Sequence, residues 1–168
     1  MSEAGAHLLF LAEQLGAQLR ERHYVLVSAE SCTAGGVAYA VTQVPGSSAW
    51  FDRALVVYSN QAKHDLLGVP PLVLRDYGAV SEPVARAMAR GALQHTTAHA
   101  ALAVTGIAGP GGGSKQKPVG LVYFAAASRD GRRIARSRRY GAIGRARVRS
   151  CSVAEALALL EMLANEAH

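Results

Sequence analysis

The chain has 168 residues, half of them apolar and 18% charged, with a formal net charge of +6. That composition excludes a disordered chain and suits one domain with a sizeable core. No apolar run reaches membrane-spanning length, and Cys32 and Cys151 form neither a disulfide framework nor a zinc spacing. The opening Met1-Ser2-Glu3-Ala4 lacks the basic start of a secretory signal, so a cytoplasmic protein is expected.

Leu8, Leu9, Leu11, Leu15 and Leu19 predict an amphipathic helix over residues 4–20. A strand follows at 24–28, then a helix from about 33 to 42 and a loop at Val44-Pro45-Gly46-Ser47-Ser48. A second strand spans 53–58. Ser59 or Asn60 can cap a short helix that runs to Leu67, where Pro70 and Pro71 break it. Ser81-Glu82-Pro83 is a strong helix start, a capping serine with proline in the first turn, and that helix runs to about 97. A strand at 100–104 leads into a glycine-rich loop. Residues 119–127 and 132–140 flank Arg129-Asp130-Gly131 and read as a hairpin. Val148, Val153, Leu157, Leu160 and Leu163 line one side of a last helix over 145–164. The pattern predicts an α/β fold, a single-domain α/β/α sandwich over 1–168 with a mixed, largely parallel sheet.

Two strand ends carry the chemistry. In Tyr24-Val25-Leu26-Val27-Ser28-Ala29-Glu30-Ser31-Cys32-Thr33-Ala34-Gly35-Gly36, polar groups crowd a strand-to-helix junction. Unpaired N–H groups and the positive end of the helix dipole make such a junction a cap or an oxyanion site. Ser31 therefore reads either as a helix cap or as a nucleophile. No Ser-His-Asp arrangement and no Gly-x-Ser-x-Gly motif supplies a base. Lys63 offers one, because parallel strands bring both of their ends to the same sheet edge, although the pattern alone favours a solvated helix lysine. Tyr58 can relay a proton or fix that lysine.

Glu30 can bind a substrate hydroxyl or complement the helix dipole, and Cys32 is a rival nucleophile or a small buried residue. Thr33 and Gly35 join Glu30 as candidate substrate contacts. Thr105 and Gly106 place a hydroxyl and a flexible backbone at the second strand end, before the Gly109–Gly113 run. That run is neither Gly-x-Gly-x-x-Gly nor a Walker loop. His95 and His99 have helical spacing but lack the glutamate of a zinc protease, and no metal site or cofactor is expected. The arginines between 129 and 149 mark either phosphate or nucleic-acid contact, or a solvated edge strand.

Several stretches resemble one known family: Ala29-Glu30-Ser31-Cys32-Thr33-Ala34-Gly35-Gly36, Val57-Tyr58-Ser59-Asn60-Gln61-Ala62-Lys63, Gly78-Ala79-Val80-Ser81-Glu82, and Ala103-Val104-Thr105-Gly106-Ile107-Ala108-Gly109-Pro110-Gly111-Gly112 with Lys117-Pro118-Val119-Gly120. They are similar to the C-terminal domain of the competence/damage-inducible CinA family, which includes stand-alone nicotinamide-nucleotide amidases. The resemblance implies hydrolysis of nicotinamide mononucleotide to nicotinate mononucleotide and ammonia, with Ser31 as nucleophile, Lys63 and Tyr58 beside it, and Thr105, Gly106 and Arg145 on the substrate. It also implies a homo-oligomer acting on a small mononucleotide, with no membrane and no nucleic acid as partner. The rival class is a non-catalytic nucleotide- or DNA-associated binding protein. The chain departs from the family pattern at Arg53-Ala54, where a glycine pair is usual, and at Ile143-Gly144-Arg145, where Gly-Asp-Arg is common. The activity of the N-terminal domain found in larger members is not implied.

Overall fold

A computed structural model describes residues 2–165. The elements in chain order are α1 (Glu3–Glu21), β1 (Leu26–Glu30), α2 (Gly36–Thr42), β2 (Phe51–Val56), α3 (Asn60–Leu67), α4 (Pro71–Tyr77), α5 (Glu82–Gln94), β3 (Ala100–Gly106), β4 (Leu121–Ser128), β5 (Arg133–Arg139) and α6 (Arg145–Asn165), with a short 3₁₀ turn at Ser47–Ala49. One five-stranded sheet has the order β2-β1-β3-β4-β5. β1 is parallel to both β2 and β3, whereas β4 is antiparallel to β3 and to β5. The expected mixed sheet is thus a parallel centre extended by a hairpin.

Strand alternation divides the core into two layers. Leu26 of β1, Leu102 and Val104 of β3, and Val122 and Phe124 of β4 pack with Leu15, Leu19, Val37, Trp50, Leu157 and Leu160, beneath α1, α2 and α6. Val27, Ala29, Ala101, Ala103, Ala125 and Ala127 face the other way, against Ala85, Met88, Ala89 and Ala92 of α5 and Leu67 of α3. Alanine on both sides of the second layer lets α5 lie close to the sheet. The five residues expected to line α6 are all buried, and burying each leucine stabilises the fold by roughly 1.5–3 kcal/mol.

The caps follow the sequence closely. Ser59 Oγ accepts from Ala62 N–H at 3.0 Å, and Ser81 Oγ accepts from Val84 N–H at 3.4 Å. Gly68 ends α3 in the left-handed conformation at φ +63. Four expectations shift. β1 and β2 each lie about two residues from their predicted positions. α2 begins at Gly36, because Ala34 and Gly35 adopt φ +49 and +88 and cannot be helical. α4 exists where the prolines were expected only to break a helix, Pro71 being its first residue, where a missing N–H costs nothing. His95 ends α5 while His99 precedes β3 and stacks on Tyr24, so the two do not share a helix. The arginine-rich β5 is an edge strand, and Arg136 and Arg138 pair with Glu155 of α6 at 2.7 and 2.9 Å. No helix among the described residues is long and apolar enough to cross a membrane.

Candidate active site

The parallel centre of the sheet builds the site at its C-terminal edge. Glu30, the last residue of β1, lies opposite Val56 of β2 and Val104 of β3. Val57 N–H donates to Glu30 O at 2.8 Å, and Ser31 N–H donates to Val104 O at 3.0 Å. Ser31 therefore leaves the sheet between the chain ends that carry Tyr58 and Thr105, where ligands of open α/β sheets collect.

Lys63 reaches this edge from α3. Its side chain is 1% exposed, and Nζ donates to Ser31 Oγ at 3.1 Å and to Val57 O at 2.9 Å. Burial holds the ammonium below its ordinary 10.5, favouring the neutral amine. Burial pushes the neighbouring Cys32 thiol up to about 11, so it is protonated at neutral pH and a poor nucleophile. Ser31 caps nothing, since α2 begins five residues later behind Gly35.

A cavity of about 260 Å³ opens over the pair, lined by Ser31, Cys32, Tyr58, Lys63, Thr105, Gly106, Arg145 and the glycine-rich loop. Arg145, at the start of α6, donates through Nη1 to Gly109 O at 2.9 Å and through Nη2 to Tyr58 Oη at 3.0 Å. Tyr58 is 59% exposed and makes this contact with Arg145 rather than one with Lys63. Thr105 Oγ1 donates to Ala79 O at 2.8 Å and so ties the 78–81 turn to β3. Gly106 is needed for close approach: a Cβ there would lie 2.7 Å from a Val122 methyl and 2.9 Å from Leu121 O.

Three expected contacts lie outside the cavity lining. Glu30 and Thr33 are 0% exposed. The Glu30 carboxylate accepts from Ser28 Oγ at 3.1 Å, Thr33 Oγ1 at 2.7 Å, Val37 N–H at 3.1 Å and Ala38 N–H at 3.0 Å. It is the buried cap of α2, and it takes N–H groups that the sequence offered to an oxyanion. Cys32 and Thr33 N–H have no carbonyl partner among the described residues. Gly35 is the left-handed residue that admits α2. Arg149 was not among the site residues expected from the sequence, yet its Nη2 donates to Thr33 O at 2.9 Å. Its i, i+4 spacing from Arg145 was the available signal.

No group of three or more histidine, cysteine or acidic side chains among the described residues could hold a metal ion. A larger open groove of about 410 Å³ lies between α1 and α6, but it is mostly apolar and contains no paired nucleophile and base.

The family profile described as the CinA C-terminal domain matches residues 9–164. A nicotinamide-nucleotide amidohydrolase PncC from Enterobacter agglomerans is 52% identical over 132 residues, covering 79% of each chain. The protein of the same name from Escherichia coli K12 is 50% identical over 131 residues, 78% of this chain and 79% of its own. The crystal structure of the competence/damage-inducible protein CihA from Agrobacterium tumefaciens superposes with a TM-score of 0.93 at 45% identity, covering 95% of this chain and 96% of that one.

Proposed function

We propose that this chain, which belongs to the CinA C-terminal domain family, is a nicotinamide-nucleotide amidase that uses Ser31 as nucleophile and Lys63 as base. Its relatives named as amidohydrolases of this substrate support the amide hydrolysis. The observation that carries the mechanism is the contact between a buried lysine and a serine hydroxyl at the cavity floor.

In the neutral amine, one N–H stays on Val57 O, which leaves the nitrogen lone pair free to accept from the Ser31 hydroxyl. Ser31 Oγ attacks the carboxamide carbon as its proton passes to Lys63 Nζ. The negative charge grows on the former carbonyl oxygen. Val37 and Ala38 N–H already serve Glu30, so the donors fall to the turn itself, Cys32 N–H first. Collapse of the tetrahedral intermediate breaks the C–N bond. Lys63 returns the proton to departing ammonia, with Tyr58 at the cavity mouth assisting. Water then attacks the acyl-serine with Lys63 again as base, the acyl C–Oγ bond breaks as Lys63 returns that proton to Ser31 Oγ, and the acid leaves and ionises to the carboxylate. Arg145 suits the substrate phosphate, since a guanidinium can fork onto two of its oxygens. Thr105 and Gly106 shape the wall, and Glu30, Thr33 and Gly35 fix the turn.

The same reading has the enzyme acting as a cytoplasmic homo-oligomer, without metal or cofactor. The test is ammonia and nicotinate mononucleotide production from nicotinamide mononucleotide by protein treated with a chelator. Undiminished release after metal removal is expected; absence of release from the untreated protein overturns the assignment.

A further inference from the structure

Arg145, Arg149 and Val153 recur every four residues on α6 and form one stripe facing the site. Arg145 lines the cavity, and Arg149 one turn on holds Thr33 O. A Cβ on Gly36 would lie 3.0 Å from a Val153 methyl, so the next turn of α6 rests on the start of α2. The segment between Ser31 and Gly36 is thus gripped along its outer side by a single helix.

The grip matters because the segment is not held by regular structure. Ala34 and Gly35 sit at positive φ, Ala34 N–H bonds Ser31 O at 3.1 Å, and Gly36 N–H bonds Thr33 O at 3.0 Å. The Thr33 hydroxyl is held from inside by Glu30 at 2.7 Å, while its carbonyl is held from outside by Arg149. A residue two positions from the nucleophile is therefore fixed at both of its polar ends. The Ser31–Lys63 contact needs a definite turn, since Lys63 arrives from another helix and is itself fixed by Val57 O.

We propose that Arg149 is a positioning residue for the nucleophile: its bond to the Thr33 carbonyl holds the 31–36 turn so that Ser31 Oγ meets Lys63. The inference rests on the Ser31–Lys63 reading above. It assigns Arg149 to the turn and Arg145 to substrate, a division of labour between two arginines one helical turn apart. The carbonyl calls for a donor rather than for a guanidinium as such, so a lysine long enough to reach it can serve.

The experiment compares Arg149→Met, which keeps the apolar stem but removes every donor, with Arg149→Lys. Three quantities are read: kcat and KM on nicotinamide mononucleotide, and the rate at which a small neutral sulfonyl fluoride labels Ser31. The probe has no phosphate, so it reports the nucleophile alone, and it does so whether or not the mononucleotide is the substrate. Arg149→Met is expected to lower kcat and the labelling rate together by about tenfold with KM within about twofold, and Arg149→Lys to restore most of both. A raised KM with unchanged labelling overturns the proposal by placing Arg149 on the substrate, and unchanged kcat and labelling overturn it by leaving Arg149 on the surface. Equal loss in both variants, with no rescue by lysine, also counts against it.

Discussion

Lys63 Nζ meets Ser31 Oγ at 3.1 Å although 32 residues separate the two in sequence. A lysine that is 1% exposed is unusual, and Lys63 is buried beside a layer of alanine, valine and leucine. Its presence there is a cost to the fold that makes sense if the amine works as a base.

Replacing the lysine separates that cost from its use. Lys63→Met should lower turnover by roughly 10²–10⁴-fold while leaving thermal stability equal or about 1 kcal/mol higher, because a buried amine is exchanged for an apolar chain of similar length. Lys63→Arg should lose nearly as much activity, since arginine stays protonated at neutral pH. Substantial turnover in Lys63→Arg with only a raised KM would reassign Lys63 to substrate recognition.

The pH dependence follows from the same burial. With Lys63 as the proposed base, the neutral amine would be the working form, so kcat/KM should rise with pH through the depressed Lys63 value and then level, with the midpoint below the ordinary 10.5. Stability moves in the same direction. The fold disfavours protonated Lys63, so its penalty is complete below the folded value and fades as pH rises toward 10.5, where the unfolded chain also releases the proton. Wild type should therefore gain stability relative to Lys63→Met across that window, measured by chemical denaturation. A constant difference would mean that Lys63 titrates normally.

The turn after Ser31 offers a gain. Ala34 holds φ +49, a conformation that costs a residue with a Cβ about 1–2 kcal/mol. Ala34→Gly removes that strain but adds about 0.4–1 kcal/mol of unfolded-state entropy, so a net stabilisation of about 0.5–1 kcal/mol is expected from denaturant midpoints. Loss of stability would show that the entropy outweighs the strain.

Gly91 carries the opposite prediction. Its position in α5 lies against the Leu67 carbonyl at the end of α3, and an added Cβ would collide with that backbone oxygen. Gly91→Ala should cost about 2–3 kcal/mol. Because α3 carries Lys63, kcat should fall as well, measured below the unfolding transition.

Much of this architecture was legible in the residues. Ser59 and Ser81 announced their helices by capping chemistry, and the hairpin and the basic edge strand followed from Arg129-Asp130-Gly131 and the arginines around it. The start of α2 was not legible, because alanine at position 34 reads as helical yet adopts φ +49, and the cap of α2 is Glu30, six residues before the helix begins. α4 was hidden by Pro70-Pro71, which read only as a stop for α3, whereas Gly68 ends that helix and Pro71 opens the next. Ser31 and Lys63 were legible as candidates, but their convergence depends on strand order, which no local pattern contains. Glu30 looked available for substrate because its four partners, on β1, the buried turn and the first turn of α2, meet it only in the folded chain.

Arg145 and the substrate phosphate can be tested by comparing two substrates. Arg145→Ala should weaken use of the mononucleotide far more than use of the unphosphorylated riboside, measured as kcat/KM for each. Equal loss on both would argue against a phosphate contact and assign Arg145 to holding Tyr58 and Gly109.

The covalent step is tested most directly by mass spectrometry of protein quenched during turnover of nicotinamide mononucleotide. A nicotinoyl-nucleotide ester is expected on the peptide containing Ser31, present in wild type and Cys32→Ala and absent in an inactive Ser31→Ala. Turnover by Ser31→Ala at the wild-type rate, or an adduct on Cys32 instead, would contradict it.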